Sequence, residues 1–399
     1  MEYVKIGQLV DLKQGIAINA KSNHLISKDE TNIALLRIAD MPTKRKVIYM
    51  KEETPERYIA NKNDIIYTRT GQVGLVFTGQ HGVVHNNCFR VFSKNDNILS
   101  NEYLYWCLRL KSVYIQANNF AVGSAQPDLP HTSFRKIRIP LFSINAQNKI
   151  AKILQKYDDL IEKNNRKIAI LEEQIQELYK EWFVRFRFPG YEKVKFVNGL
   201  PIDWEYKRLR EMAQYYRGLS YSSEEIDTDS GVDLVNLNNI ISYGGFNKNG
   251  TKKYAGKYKE TQTLKDSDLV MGVTDMTQER RLVGSVALVD TKGVKTAFSA
   301  DLIKLISSVN KLFLYCMLKY GNYSKYIAEF ANGANVLHLK PDSVMNVKVL
   351  MPSEELINKF AMSVENYFNN IKQIKELNDI LLKQRDLLLP RLMSGKLKV

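Results

Sequence analysis

The sequence has little cysteine and no long hydrophobic run. Its three cysteines, Cys88, Cys107 and Cys316, are too few and too widely spaced for a disulfide framework or a zinc site. No apolar stretch approaches the roughly 18 to 20 residues that span a bilayer. The opening segment MEYVKIGQLVDLKQG lacks the basic, apolar and small-residue parts of a secretory signal. We therefore expect a cytoplasmic protein that uses neither disulfides nor the membrane.

Motifs for catalysis are also missing. There is no Pro-Pro dipeptide, which excludes the Asp/Asn-Pro-Pro-aromatic motif of amino-methyltransferases, and no P-loop. The Pro-Asp pairs at Pro127 and Pro341 are not followed by Glu-x-Lys at nuclease spacing. HGVVH puts His81 and His85 four positions apart, but its valines and glycine indicate a strand or turn, and no triad includes the nearby Cys88. The sequence therefore predicts no catalytic residue and no metal ligand.

The charge balance is strongly positive. Lysine and arginine number 58 against 43 aspartates and glutamates, a formal net charge of +15. A surface this basic favours polyanionic partners, and nucleic acid is the leading candidate. A basic protein without such a partner is the alternative.

The chain repeats itself. NKIAKIL begins at Asn148, and the similar NKFAMSV begins 210 positions later at Asn358. GSAQPDL and GANVLHL keep this offset. Earlier in each half it shrinks to about 204, where VKIGQLVDLKQG from Val4 lies over KRLREMAQYYRG from Lys207. Glycines, apolar rows and helical segments match in the same order, which indicates two diverged copies of one unit.

Each copy divides into a mixed section and a helical section. Residues 1–142 and 187–350 contain short apolar, β-branched runs bounded by turn residues. Within them, YLYWCLRLKSVYIQ and LFLYCMLKYGNYSKYI are predicted to be helical. Residues 143–186 and 351–399 have a helical pattern instead. The predicted fold class is α+β, with two tandem-duplicated α+β domains separated by two long helices and related by pseudo-two-fold symmetry.

The helical sections carry the heptad spacing of a coiled coil. Apolar residues step by four and three positions from Ile150 to Trp182, and again from Phe360 to Leu392. Spacing of 3.5 residues over more than four heptads predicts an intramolecular antiparallel coiled coil about 48 Å long. It would act as a spacer between the two domains.

One asparagine interrupts each heptad row, at positions that are not equivalent in the two copies. An antiparallel register with Ile150 opposite Leu392 brings Asn164 opposite Asn378, so their amides can pair. A buried Asn pair costs stability but fixes register.

The same register makes further predictions. It puts Trp182 opposite Phe360, and Tyr157 opposite Arg385. In that less apolar layer we expect the arginine to extend its guanidinium outward to solvent.

Four segments resemble a known family: GSAQPDLPHTSFRKIRIPL at 123–141, ELYKEWFVRFRFPG at 177–190, NGLPIDWEYKRL at 198–209 and LLLPRLMSGKL at 387–397. With the duplicated layout, they make the chain similar to the specificity (S) subunits of type I restriction–modification enzymes over essentially its whole length. The second copy departs from the family pattern where VLMPSEELINKF leads into its helix with little proline, and where GANVLHL lacks the Ser-x-Gln of the first copy.

The resemblance implies a non-catalytic subunit with two target-recognition domains, each reading half of a bipartite double-stranded DNA target. The helices of such subunits set the spacing and dock two modification subunits, which methylate adenine at N6 with S-adenosylmethionine. Restriction subunits join the larger complex and supply ATP-driven translocation and cleavage. S-adenosylmethionine, ATP and Mg are thus expected on partner subunits, and this chain is expected to bind no cofactor.

Candidate DNA-contacting residues are the Arg, Lys, Asn, Gln and small polar side chains of loops. In the first domain they are Lys44, Arg45, Lys46, Arg69, Thr70, Gln72, Ser124 and Gln126. In the second they are Lys248, Lys252, Lys253, Thr274, Thr277, Gln278, Arg280, Arg281, Asn335 and His338. The two domains differ most in these loops, so we expect them to read different half-sites.

Two other functions stay open at this point. One is an interaction scaffold in which a coiled coil joins two protein-binding domains and the basic charge is incidental. The other is a nuclease or methyltransferase with an unrecognised active site. Salt-sensitive, sequence-selective duplex binding would exclude the first, and the second predicts activity of the isolated chain on DNA.

Overall fold

The structure is a computed structural model that describes residues 2–43, 46–227 and 230–398. The chain forms two compact units. Unit 1 comprises residues up to 165 together with those from 375 onward, and unit 2 comprises residues 166–374. No helix within the described ranges is long and apolar enough to span a membrane.

Unit 1 begins with a mainly β section that ends in short helices. Its elements are β1 (Glu2–Lys5), β2 (Val10–Gln14), β3 (Ile26–Ser27), β4 (Leu35–Leu36), β5 (Tyr49–Met50), β6 (Ile59–Ala60), β7 (Ile65–Thr68), β8 (Val76–Phe77), β9 (Gly82–Val84), β10 (Cys88–Ser93), α1 (Asn101–Leu108), α2 (Lys111–Phe120), α3 (His131–Phe134) and β11 (Arg138–Leu141). The long helix α4 (Ile144–Phe183) follows.

The main sheet of unit 1 has the order β2-β10-β7-β8, and β1 pairs with β11. A smaller sheet has the order β4-β9-β6, with β4 parallel to β9. Strand β7 is IIYT and buried along its length, as expected for a central strand covered on both faces. The core beneath it includes Trp106, Tyr103 and Phe134.

Unit 2 has the same order of elements with four additional strands among them. Its elements are β12 (Phe196–Val197), β13 (Leu200–Pro201), β14 (Glu205–Arg208), β15 (Ala213–Arg217), β16 (Ile226–Asp227), β17 (Val232–Val235), β18 (Lys252–Tyr254), β19 (Thr263–Leu264), β20 (Leu269–Gly272), β21 (Thr274–Asp275), β22 (Val286–Leu288), β23 (Thr296–Phe298), β24 (Leu302–Ser307), α5 (Lys311–Tyr320), α6 (Tyr323–Ala328), β25 (Leu337–His338), α7 (Pro341–Asn346) and β26 (Lys348–Met351). The additional strands are β12, β13, β21 and β25. The second long helix, α8 (Glu354–Met393), follows.

Strand pairing supports the duplication. The sheet β15-β24-β20-β22 repeats the order of β2-β10-β7-β8, and β14-β26 repeats β1-β11. The parallel pair β17 and β23, flanked by antiparallel β19, corresponds to β4, β9 and β6. The predicted α+β fold class with two long helices is confirmed.

Two equivalent glycines show why one backbone position is the same in both copies. A Cβ on Gly15 would lie 2.3 Å from the carbonyl oxygen of His85, and one on Gly218 would lie 2.0 Å from that of Ser299. Two backbone segments cross too closely at this position for any larger residue. The glycine therefore marks the crossing in each unit.

Helices α4 and α8 pack antiparallel within each unit. In unit 2, the ring of Trp182 lies 5.7 Å from that of Phe360 in an edge-to-face contact, the pairing that the heptad register predicts. In unit 1, Ile150 and Leu154 of α4 share a core with Leu392 of α8.

The predicted exposure of Arg385 is wrong. Its side chain is only 9% exposed because the guanidinium forms an ion pair with Asp158 of α4 and a second one with Asp386 at 2.8 Å. Asp158 also accepts from Arg109 at 3.1 Å. A buried charge is tolerated when it is paired and hydrogen-bonded, and this network satisfies that condition without the arginine reaching solvent. Tyr157, in the same predicted layer, is half-buried.

Candidate nucleic-acid interface

In unit 1 the loop after β7 is fastened to the segment before α3. Arg69 holds Asp128 side-on, with Nε donating to Oδ1 at 3.1 Å and Nη2 donating to Oδ2 at 2.5 Å. The hydroxyl of Thr70 donates to the same Oδ1 at 2.6 Å. The loop is therefore held by three hydrogen bonds to one carboxylate that lies 59 positions further along the chain.

The backbone strengthens this attachment. The amide of Gly71 donates to the carbonyl of Pro127 at 2.8 Å, and that of Leu129 donates to the carbonyl of Arg69 at 2.9 Å. The Nη1 group of Arg69 also donates to Oε1 of Gln14, the last residue of β2, at 3.2 Å. Arg69 is thus fixed from two sides rather than extending freely from the loop.

Ionisation follows from these contacts. Burial raises the pKa of the Asp128 carboxyl, but the hydrogen bonds from Arg69 and Thr70 outweigh burial and hold the pKa below its usual range. The neighbouring His131 has a lowered pKa because it is partly buried and lies near Arg69 and Arg135. Near neutral pH the carboxylate is therefore charged and the imidazole neutral.

The other candidates of unit 1 are exposed. Gln72 lies at the tip of the loop, and Ser124 and Gln126 lie in the turn between α2 and α3. Lys46 is exposed, whereas the predicted phosphate contacts Lys44 and Arg45 lie outside the described residues.

Unit 2 organises its longer loop around a buried aspartate. Asp275, at the end of β21, accepts from the amide and hydroxyl of Thr277 at 2.9 and 2.8 Å, and from the amide of Leu282 at 2.6 Å. The amide of Val283 adds a longer contact of 3.3 Å. Burial raises the pKa of this carboxyl, but the backbone donors outweigh burial and lower it.

The tip of this loop is held to neighbouring segments. Gln278 donates to the carbonyl of Ala334 at 2.8 Å, and Arg280 forms an ion pair with Glu329. Arg281 pairs with Glu279 at 2.5 Å. Thr277 and Gln278 are exposed, while both arginines are partly covered.

The remaining candidate residues of unit 2, on or near strands β21 and β25, differ in solvent exposure. Thr274 pairs with His338 across these strands, but Thr274 is buried while His338 and nearby Asn335 are exposed. The two exposed side chains are accessible to a ligand, and Thr274 is part of the interior.

Three lysines lie on or near β18. Lys252 donates to the hydroxyl of Tyr221 at 3.4 Å and lies over its ring. Lys253 forms an ion pair with Asp233 at 2.7 Å. Lys248 is half-exposed in the turn that precedes β18. All three carry positive charge on a polar surface, which suits backbone phosphates.

No arrangement for metal chemistry occurs in the described ranges, where no group of three or more His, Cys, Asp or Glu side chains is placed to hold a metal ion. His81 and His85 flank β9, and each makes a local contact, with the carbonyl of Ala60 at 3.2 Å and with the amide of Asn87 at 3.3 Å.

Sequence reasoning missed Gln14, Asp128 and Asp275 because it looked for side chains that hydrogen-bond to bases. These three instead hold the loops that carry such side chains. For Asp275 a pattern was present: an aspartate two residues before a threonine is typical of an Asx turn. For the other two, no local pattern exists because their partners are distant in the chain.

Comparison with known proteins gives one family. Residues 1–173 match the model of the type I restriction modification DNA specificity domain. The chain is also similar to two type I restriction enzyme specificity subunits of Methanocaldococcus jannaschii. MjaIX is 26% identical, over 85% of this chain and 78% of the relative. MjaVIII is 24% identical, over 87% and 82%.

A solved structure shares the fold. The S subunit of a type I restriction–modification system from M. genitalium superposes with a TM-score of 0.55 at 17% identity, covering 98% of this chain and 96% of that one. Similarity at this identity concerns the architecture alone, and it extends over both units.

Proposed function

The chain belongs to the family of type I restriction–modification specificity subunits, and on that premise we propose that it is the DNA-reading, non-catalytic subunit of such a complex. Unit 1 reads one half of a bipartite duplex target and unit 2 reads the other. The long helices set the spacing between the half-sites and dock two modification subunits, which methylate adenine at N6 in the cytoplasm. S-adenosylmethionine, and ATP with Mg where restriction subunits join, bind to those partners.

One observation carries the proposal: the same strand order occurs twice, with different polar loops at equivalent places. Units with different loops are suited to reading different sequences, because base readout depends on the side chains at groove edges. The net charge of +15 supports binding to the duplex backbone.

Methylation mapping tests the proposal. DNA from cells that express the chain with its modification partner is expected to carry N6-methyladenine within a split motif on both strands. Deletion of the chain should abolish that methylation, and replacing residues 1–142 with those of another family member should change one half of the motif only. Unchanged methylation after deletion, with no duplex preference of the chain, would instead favour the scaffold function.

A further inference from the structure

In the side-on pair of Arg69 and Asp128, some N–H groups of the guanidinium remain free to donate to a ligand. A guanidinium carries five N–H groups. Three are used here, Nε–H and one Nη2–H by Asp128 and one Nη1–H by Gln14. One N–H remains on each terminal nitrogen. The side chains of Arg69 and Asp128 are 23% and 32% exposed, so the pair is reachable from outside.

The charge of the pair argues against a phosphate as the ligand. Asp128 neutralises Arg69 within hydrogen-bond distance, and its lowered pKa keeps the carboxylate ionised near neutral pH. A phosphate oxygen at Arg69 would therefore approach a neutral pair and an adjacent negative charge. Lys46, which is exposed and forms no ion pair with the residues that the structure describes, is better suited to that contact.

A neutral pair of acceptors fits the remaining donors. Guanine presents O6 and N7 side by side in the major groove, and a bidentate arginine is the commonest specific contact to them. A carboxylate that fixes the other edge of the arginine limits its rotamers, so less entropy is lost when the base is bound.

We propose that Arg69, positioned by Asp128 and Gln14, reads a guanine in the half-site of unit 1. This inference rests on the proposed function and names the base and the residues responsible. Asp128 and Gln14 act as positioning residues, since they contact the arginine and not the base.

Unit 2 supports the assignment by contrast. At the equivalent positions it has Val273 in place of Arg69 and His338 in place of Asp128, so both partners differ together. Val273 is buried and offers no donor to a base. A guanine read in this way is therefore expected in one half-site only.

The test measures binding of duplexes by the full chain in complex with its modification partner, after the target has been mapped. Each guanine of the unit 1 half-site is replaced in turn by 7-deazaguanine, which lacks the N7 acceptor. The variants are Arg69→Lys and Asp128→Asn, with Arg57→Lys as the matched control because Arg57 is exposed on the same unit. Thermal unfolding of each variant is recorded alongside.

For the unmodified chain, one substitution is expected to weaken binding by between about 5-fold and 100-fold. Arg69→Lys and Asp128→Asn should each reduce that penalty at the same guanine, and Arg57→Lys should keep it. Equal loss of affinity for every duplex with a lowered unfolding temperature would show a structural role only and overturn the inference. A half-site without guanine would also overturn it. Absence of any sequence preference in the unmodified chain would instead refute the proposed function.

Discussion

Units 1 and 2 share a strand order but hold their loops with carboxylates at different places. In unit 1 the carboxylate is Asp128, in the segment before α3, and its main partner is the charged side chain of Arg69. In unit 2 it is Asp275, within the loop itself, and its partners are mostly backbone amides. Each loop is therefore held by a carboxylate, but the two carboxylates are at non-equivalent positions.

The two carboxylates, Asp128 and Asp275, differ in which loop groups they leave free to contact a ligand. In unit 1 the carboxylate of Asp128 fixes one side chain, Arg69, that can take part in recognition. In unit 2 the carboxylate of Asp275 fixes the backbone of a longer loop, and the side chains of that loop other than Thr277 remain available for other contacts. Exposed Gln72 in unit 1 and exposed Thr277 and Gln278 in unit 2 lie on loops held in these two ways.

Replacing Asp275 or Asp128, the carboxylates that hold the two loops, is expected to give the largest difference in unfolding free energy between the units. Asp275→Ala should destabilise unit 2 by about 3 to 5 kcal/mol because several buried donors lose their acceptor. Asp128→Ala should cost about 1 to 2 kcal/mol, since Arg69 and Thr70 can be solvated at a partly exposed site. Urea unfolding followed by tryptophan fluorescence measures both, with Asp11→Ala on an exposed strand position as the control. Equal costs for the two anchors would contradict the comparison.

The next largest effect on stability is expected for the asparagines that fix the register of α4 against α8, which are at non-equivalent positions in the two copies. Asn164 donates to Asn378 at 2.7 Å, and Asn378 donates to Asn165 at 3.0 Å. Asn378→Leu is expected to destabilise the chain by about 1 to 3 kcal/mol because Asn164 loses its buried partner.

The double variant Asn164→Leu with Asn378→Leu provides the check. It should recover most of that stability, because an apolar pair replaces a polar one, while loosening the choice of register and oligomeric state. A double-mutant cycle of unfolding free energies and light scattering of each variant measure the two effects. Additive losses in the double variant would mean that the amides do not interact.

Acid is expected to weaken the loop attachments of both units, through Asp128 in unit 1 and Asp275 in unit 2. Both folded-state pKa values are lowered, so each aspartate contributes stability that is fully present above about pH 4, its usual pKa, and is lost as pH falls through the lowered value. Unfolding free energy measured between pH 6 and pH 2.5 should therefore fall at the acid end. Asp275→Asn and Asp128→Asn should each flatten this dependence. The same slope in both variants and in the native chain would refute the assignment.

The smallest stability effect is expected for the basic residues of the two units. Lys253→Ala removes an exposed ion pair with Asp233, which should change unfolding free energy by less than about 0.5 kcal/mol. If Lys253 contacts a phosphate, affinity should fall similarly for all sequences, and the slope of log affinity against log salt should drop by about one. Lys46→Ala makes the same test in unit 1. A loss confined to one sequence would instead indicate base readout.

Much of this architecture could be predicted from periodicity. The heptad rows of both helices, read as antiparallel, bring Trp182 to Phe360 and Asn164 to Asn378, and the structure has both contacts. Facing positions can be predicted from heptad spacing because helix geometry is regular over long distances. It covers core positions only, which is why it misplaced Arg385: its partner Asp158 lies beside the heptad row and not in it.

The contact that holds the loop of unit 1 could not be predicted for the same reason. Arg69 and Asp128 are separated in the chain by three strands (β8 to β10) and the helices α1 and α2, and no sequence period connects them. Their contact depends on how the turn before α3 folds back, which tertiary packing decides. Sequence patterns found the side chains that could meet a base but not the ones that hold them.

The composition of unit 1 has a consequence for the order in which the protein matures. Its core is completed by Leu389, Leu392 and Met393, which lie near the end of the chain, whereas unit 2 is one continuous segment. During synthesis unit 2 has all its residues before unit 1 does, although unit 1 emerges first from the ribosome. The N-terminal part of unit 1 therefore has an incomplete core until α8 has been synthesised, and its apolar surface is accessible to chaperones and proteases during that time.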